Sequence, residues 1–284
     1  MMGIAQSGER TVLVWPSLAV AFLLIAPFGL MVMLSFWLRV PGGTYEPGFT
    51  FDNYAALLTP FYASRAMLTL GLAALAGAVA VAIAFPLTWF ICQMGRRAQT
   101  WWLVVILGTL SLSEVLVAFS WSVLLSRSAG ISNLFVWLGL LEVPIALTPS
   151  GGAVLTGLVY VTLPYAVLVL YPTLSRLDPA LVEAAHSMGA RPLRAFFGVA
   201  VPVCRPAIAA TFVLCVVFSL GAFVTPQVLG RPEHWTLAVM VTDAALQRAN
   251  VPMAAALAIL LLLASLAFVA IAGRIGRGQS GTTQ

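Results

Sequence analysis

The sequence predicts an all-α protein: a polytopic membrane bundle of six transmembrane helices. Three observations predict it. Hydrophobic residues make up 61% of the 284 positions and charged residues only 8%. The apolar residues gather into six runs, each long enough for the roughly 20 residues a bilayer-spanning helix needs. The runs are continuous, whereas the strands of a membrane barrel alternate. In lipid such runs must be helical, because a helix satisfies its backbone polar groups within itself.

The first run is Val12–Leu38. It is too long for the core of a signal peptide and lacks a convincing small-residue cleavage site, so it reads as a retained span after a short tail, 1–11. An outer loop follows at 39–65, with Pro41-Gly42-Gly43 and Phe51-Asp52-Asn53-Tyr54. Asp52 is expected to cap a short helix leading into the second run, Ala66–Cys92. That run carries small residues four apart, Ala73 with Gly77 and Ala74 with Ala78, which permit close helix approach. A tight inner turn, 93–100, precedes the third run, Trp101–Leu125. In the outer loop 126–150, Ile131–Leu141 predicts a short interfacial helix, with Trp137 suited to the aromatic belt. The fourth run is Gly151–Ser175, the inner loop is 175–205, and the fifth run is Pro206–Gly230. After an outer loop at 231–250 comes the sixth run, Val251–Gly273, and a polar tail, 274–284. The two halves show no matching interrupted helices of the inverted-repeat kind. One transmembrane domain is expected over 1–284, with its core at about 60–275.

All fourteen basic residues are Arg. With the N-terminus inside, Arg10, Arg96, Arg97, Arg176, Arg191, Arg194, Arg205, Arg274 and Arg277 fall on the inner side. Arg39, Arg65, Arg127, Arg231 and Arg248 fall outside. This excess of inner Arg predicts cytoplasmic termini. The net charge of +5 follows from this topology. It is no nucleic-acid footprint, since no basic patch has interleaved aromatics.

Several chemistries are excluded. A chain without Lys cannot form the Gly-x-x-x-x-Gly-Lys-Ser/Thr phosphate loop. His186 and His234 fall on opposite sides of the membrane and cannot share a metal. Cys92, Cys204 and Cys215 lack ligand spacing and read as small buried hydrophobes. No nucleophile elbow, zinc-protease motif or paired-Asp motif appears. No catalytic residue, no metal site and no enzyme activity are expected.

Glu114 is the one formal charge inside a run, near the middle of the third. A carboxylate there costs on the order of 3 kcal/mol or more unless it is compensated. Two readings stand. Glu114 lines a translocation path, meeting a cationic substrate. Alternatively it is a polar anchor, protonated or bonded to Ser111, Ser113 or Ser120. Asp243, on the outer side, is a weaker path candidate that also reads as a helix-start or loop residue.

The segment 175–202 carries the most information. It is polar and basic between two hydrocarbon-like runs, and it is punctuated as a helix. Asp178 is an N-cap with Pro179 at the first helical position. Leu177 and Val182 are placed for a hydrophobic staple, and Gly189 stands where a left-handed C-terminal residue is wanted. Leu181, Val182, Ala185 and Met188 form one apolar stripe, and Glu183 falls off it. A loop between spans needs such a helix only if something docks on it.

Glu183-Ala184-Ala185, then Gly189, then Val201-Pro202, resembles the Glu-Ala-Ala loop of permease subunits in bacterial ABC importers. Gly221-Ala222-Phe223-Val224-Thr225-Pro226 with Leu229-Gly230 resembles the Gly-x-Phe-Val-Thr-Pro…Leu-Gly stretch of the spermidine/putrescine-type branch, which also includes iron and phosphonate systems. Phe51–Tyr54 is similar to that branch's Leu-x-Asn-Tyr entry. Asn133 with Leu138-Gly139-Leu140 is similar to its Asn-x-x-Leu-x-x-Leu-Gly-Leu loop. The matches span about residues 50–260. One departure is Val117 before Ser120-Trp121, where the branch often has an Arg.

The resemblance implies the type I ABC importer permease fold and a subunit of the bacterial inner membrane. It makes Glu183, Ala184, Ala185, Met188, Gly189 and Arg191 the ATPase-coupling residues. Glu183 would meet a basic group of the ATPase or brace Arg191 or Arg194. Glu114, Trp121, Phe223, Thr225 and Asp243 become candidates for the translocation path. The implied partners are a second permease, giving a heterodimer, two ATPase subunits that bind ATP and Mg, a periplasmic binding protein and the lipid bilayer. This chain itself would hold no cofactor and bind no nucleic acid. The expected cargo is a polyamine or related organic cation, with iron, a phosphonate or an amino-acid derivative as alternatives. A self-sufficient secondary carrier is the competing class.

Overall fold

A computed structural model of the chain describes residues 20, 22–23, 25–40, 45–128 and 130–277, without the side chains of 274–277. The tail 1–11, much of the first expected span, Pro41-Gly42-Gly43 and the end of the polar tail lie outside the described residues. Within them the secondary structure is helical, apart from a single antiparallel bridge between Leu38 and Glu46. The helices are α1 (Ile25–Ser35), α2 (Asp52–Leu57), α3 (Pro60–Gln93), α4 (Arg96–Leu110), α5 (Glu114–Leu124), α6 (Ile131–Trp137), α7 (Gly151–Leu174), α8 (Pro179–Ser187), α9 (Pro192–Ala195), α10 (Val201–Val203), α11 (Arg205–Gly221), α12 (Val224–Leu229), α13 (Leu237–Thr242) and α14 (Val251–Arg277).

Of these, α3, α7 and α14 are each long and apolar enough to cross a bilayer unbroken. Two bent pairs bring the number to five: α4 with α5, at 94°, and 192–203 with α11, at 73°. The remaining expected span, the first run Val12–Leu38, is described only in part, as the shorter apolar helix α1. The expectation of uninterrupted third and fifth spans is corrected. The third breaks at Ser111–Ser113, where Ser113 is extended (ψ 132°) and α5 starts with an acidic residue in its first turn. The fifth ends at Gly221, passes through an extended Ala222 (ψ 125°) and restarts as α12.

The described residues fall into two units, one drawn from 63–239 with 261–277 and one from 20–62 with 240–260. In the second of these, Phe36 stacks on Phe49 at 5.1 Å and meets Tyr54 at 5.0 Å. The Asn53 amide donates to the carbonyls of Ser35 and Trp37, so the Asn-Tyr pair stitches the loop to the end of α1. Asp52 is the first residue of α2 and not its cap. Its own N–H donates to the Thr50 hydroxyl at 3.1 Å. The expected outer loop 231–250 is largely helical, with α13 continuing into a π-helical turn, Asp243–Gln247.

In the larger unit α7 packs against α4, α5, α11 and α12. The small-residue stripe of α3 is Ala73, Ala76, Gly77, Ala80 and Ala84, all buried. A Cβ on Gly77 would lie 2.9 Å from Val216 Cγ2, so that glycine sets the approach of α11. The Ala74–Ala78 pair is corrected: Ala78 is exposed. The core continues through Phe85, Ile91, Val167, Leu170 and Cys215 and, at the other end, Val154, Leu158 and Leu229. Gly157 permits a second close approach, since a Cβ there would come 2.5 Å from Thr225 Cγ2 and 2.7 Å from Leu229 Cδ1. Small residues at helix crossings replace the hydrophobic drive that lipid cannot supply.

Candidate functional site

The segment 175–202 has the helix punctuation its sequence predicts. Asp178 Oδ1 accepts the Ala180 N–H at 2.9 Å, and Pro179 follows at the first helical position. At the other end Gly189 has φ +83°. Its N–H donates to the His186 carbonyl and that of Ala190 to the Ala185 carbonyl, which is the Schellman pattern. His186 adds a 3.0 Å contact between Nδ1 and the Ala190 carbonyl. The helix is closed by its own groups at both ends.

The apolar stripe divides. Ala185 is buried at 5% and Val182 is half-buried, while Met188 is 83% and Leu181 45% exposed. α8 packs against α9 and the π-helical turn Phe196–Ala200 that follows it. Between α8–α9 and the end of α3 lies a cavity of about 890 Å³ whose wall includes Val182, Leu193, Phe196, Trp89 and Phe90. Leu177, the expected staple partner of Val182, lines the same cavity. Ala184, Glu183 and Arg191 are exposed. Among the described residues no ion pair joins Glu183 to Arg191 or Arg194.

A second centre lies at the two helix breaks. Glu114 is the first residue of α5, not the middle of a span. Its Oε1 accepts the Thr225 hydroxyl at 3.0 Å and the Thr225 N–H at 3.4 Å. Thr225 is the second residue of α12 and fully buried. No side chain of α12's own N-cap, Phe223, caps that helix. One carboxylate thus sits at the start of its own helix and at the start of another. Both helix starts leave backbone N–H groups without intrahelical partners, and the carboxylate accepts from the one on Thr225. Of the three serines named as candidate partners, Ser111 and Ser120 donate to carbonyls of the preceding helical turn, and Ser113 is exposed.

Glu114 also lines a cavity of about 550 Å³, with Thr109, Tyr160, Thr162, Tyr165 and Ser219 among its walls. Tyr165 stacks on Phe218 at 4.5 Å, and Tyr160 meets Trp121 edge-on at 5.6 Å. The structure therefore brings together Glu114, Thr225 and, through Tyr160, Trp121. Phe223 stands at the break before α12, 41% exposed. Asp243 belongs to the other unit and pairs with Arg248 at 2.7 Å. Sequence reasoning missed Tyr160, Tyr165 and Ser219. Their signal was present as hydroxyl-bearing residues within otherwise apolar runs.

Comparison with known proteins fits this arrangement. No family model matches the chain. The spermidine/putrescine transport system permease protein PotB of Escherichia coli is 27% identical over 205 residues, covering 72% of this chain and 74% of PotB. PotB of Haemophilus influenzae is 28% identical, covering 87% of each. The inner membrane ABC transporter permease protein YdcU of Escherichia coli is 28% identical, covering 92% of this chain and 91% of YdcU. The chain is thus similar to permease subunits of ABC importers along most of its length. Those relatives are transport components rather than enzymes. Among solved structures, a chain of a bacterial ABC transporter involved in alginate import superposes with a TM-score of 0.78 over 99% of both chains, at 19% identity. A chain of the MetNI methionine transporter gives 0.57 over 76% of this one. These likenesses bear on the fold, which is that of ABC importer permeases.

Proposed function

We propose that this permease is one of two membrane subunits of a binding-protein-dependent importer of the inner membrane, and that its cargo is a polyamine or a similar small organic cation. The observation that carries the transport reading is α8: a short helix closed at both ends, resting on its buried Ala185, with Leu181 and Met188 turned out. Exposed apolar side chains on a capped helix suit a groove in another protein. That protein is a pair of ATPase subunits, which bind ATP and Mg. This chain has no Lys with which to build a phosphate loop.

The contacts suggest how motion passes inward. α8 packs on the π-helical turn, α10 follows, and the chain bends into α11. α11 lies along α7 and leads through Ala222 into α12, whose start is held by Glu114. When ATP draws the ATPases together, α8 moves with its groove. The rigid helices carry that displacement to the Glu114–Thr225 contact, and the spans alternate between inward-open and outward-open. A periplasmic binding protein delivers the cargo to the outward-open state, and the second permease completes the path. The inner Arg excess supports cytoplasmic termini.

Two supports favour a cationic cargo: the similarity to PotB, and a cavity wall that includes a carboxylate and no Arg. The test is uptake of radiolabelled putrescine and spermidine in cells stripped of other polyamine importers. Uptake is expected when this permease is expressed with its partner permease, ATPase and binding protein. Uptake of neither amine, with the four proteins assembled, would remove the polyamine assignment.

A further inference from the structure

We propose that the 550 Å³ cavity is a transit site for one ammonium group of a flexible aliphatic amine, with Glu114 as its charge partner and Ser219 as its second acceptor. This rests on the amine reading of the cargo and deepens it. The Glu114 carboxylate is fixed at one oxygen by Thr225, and its other oxygen has no protein donor among the described residues. The carboxylate is thus held in place and half-engaged.

Ser219 gives an independent sign. Its side chain is 2% exposed, it lines the cavity, and its hydroxyl has no hydrogen-bond partner among the described residues. A buried hydroxyl without a partner is destabilising. The two threonine hydroxyls of the wall are occupied: Thr109 donates to the Ile106 carbonyl and Thr162 to the Leu158 carbonyl. Ser219 therefore offers an unused hydroxyl oxygen that can accept a hydrogen bond from a bound ammonium.

The rest of the wall suits the same ligand. Tyr160, Tyr165 and Phe218 make the wall aromatic, and aromatic rings attract a cation. Leu110, Val161 and Val217 suit methylene groups. The volume falls in the range of about 300–1,000 Å³ of small-molecule sites. With one carboxylate and no Arg in the wall, the site is matched to a single positive charge and opposes an anion. A multiply charged amine would pass one ammonium at a time, and a single charge contact is weak enough to release it, as conduction requires.

The complete importer, reconstituted in vesicles with binding protein and ATP, provides the test. Glu114→Gln keeps an acceptor for Thr225 and removes the charge. Putrescine uptake should fall at least about tenfold, matching the loss of one partly buried charge contact. Ser219→Ala should lower it several-fold. Independently, a diazirine derivative of putrescine, photolysed in the unmodified complex during turnover, should label peptides containing 109–117, 160–165 or 217–222. Wild-type uptake in Glu114→Gln, or labelling only elsewhere, overturns the transit site and leaves amine import standing. If the unmodified complex carries no amine, both fall. If Glu114→Gln does not assemble, the labelling pattern decides.

Discussion

Glu114 and Thr225, separated by 111 positions in sequence, join the first turns of two helices through a 3.0 Å hydrogen bond. Each helix restarts a broken membrane segment. Thr225→Val keeps shape and removes the hydroxyl, so the complex should lose about 1.5–3 kcal/mol, the range for a hydrogen bond to a charged group. Thermal unfolding of the purified assembly checks this. An unchanged midpoint would mean the contact carries no strain-bearing role.

Gly189 is held at φ +83°, yet a Cβ there would meet nothing within 4 Å. The constraint is therefore backbone alone. Gly189→Val should cost about 1–2 kcal/mol in the coupling helix, while Gly189→Asn should cost much less, because Asn tolerates the left-handed region. Cargo-stimulated ATP hydrolysis should fall in the Val variant and largely persist in the Asn variant. Equal activity in both would show that the cap does not matter for coupling.

Gly157 and Gly71 make a contrasting pair. A Cβ at Gly157 would press on Thr225 and Leu229, whereas one at Gly71 meets nothing within 4 Å. Gly157→Ala should destabilise by roughly 1–3 kcal/mol through overpacking, and Gly71→Ala should not. Detergent thermal-shift measurements on the two variants separate them. Equal shifts would place the α7–α12 approach elsewhere.

Sidedness follows from the Arg distribution. With Cys92, Cys204 and Cys215 replaced, single cysteines at the exposed Ser187 and Glu142 should be labelled by an impermeant maleimide from opposite faces. Labelling of both from one face would overturn the six-span topology.

How far the sequence revealed these features differs by kind. Helix α8 and its two ends were legible residue by residue, because Asp178, Pro179 and Gly189 act locally, through their own backbone bonds. The spans α3, α7 and α14 were legible from length and composition. The breaks at 111–113 and 222–223 were not, because both flanks are apolar and the sum over a window hides an extended residue. Ser113-Glu114 and Gly221 were the available signals. The partner of Glu114 could not be found locally. The serines nearby were plausible, but tertiary packing brought in Thr225 from the far side of the chain. The split of the α8 stripe was hidden for the same reason, since which apolar residues face inward depends on where α9 and the π-helical turn lie.

The central claim is that this chain moves cargo only when an ATPase drives its coupling helix. The direct measurement is putrescine flux into vesicles holding the permease pair, with the ATPase present, absent, or carrying a substituted phosphate-loop lysine. The account predicts binding-protein-dependent accumulation with ATP and the intact ATPase, and none in the other two cases. Accumulation by the permeases alone, driven by an ion gradient, would contradict it.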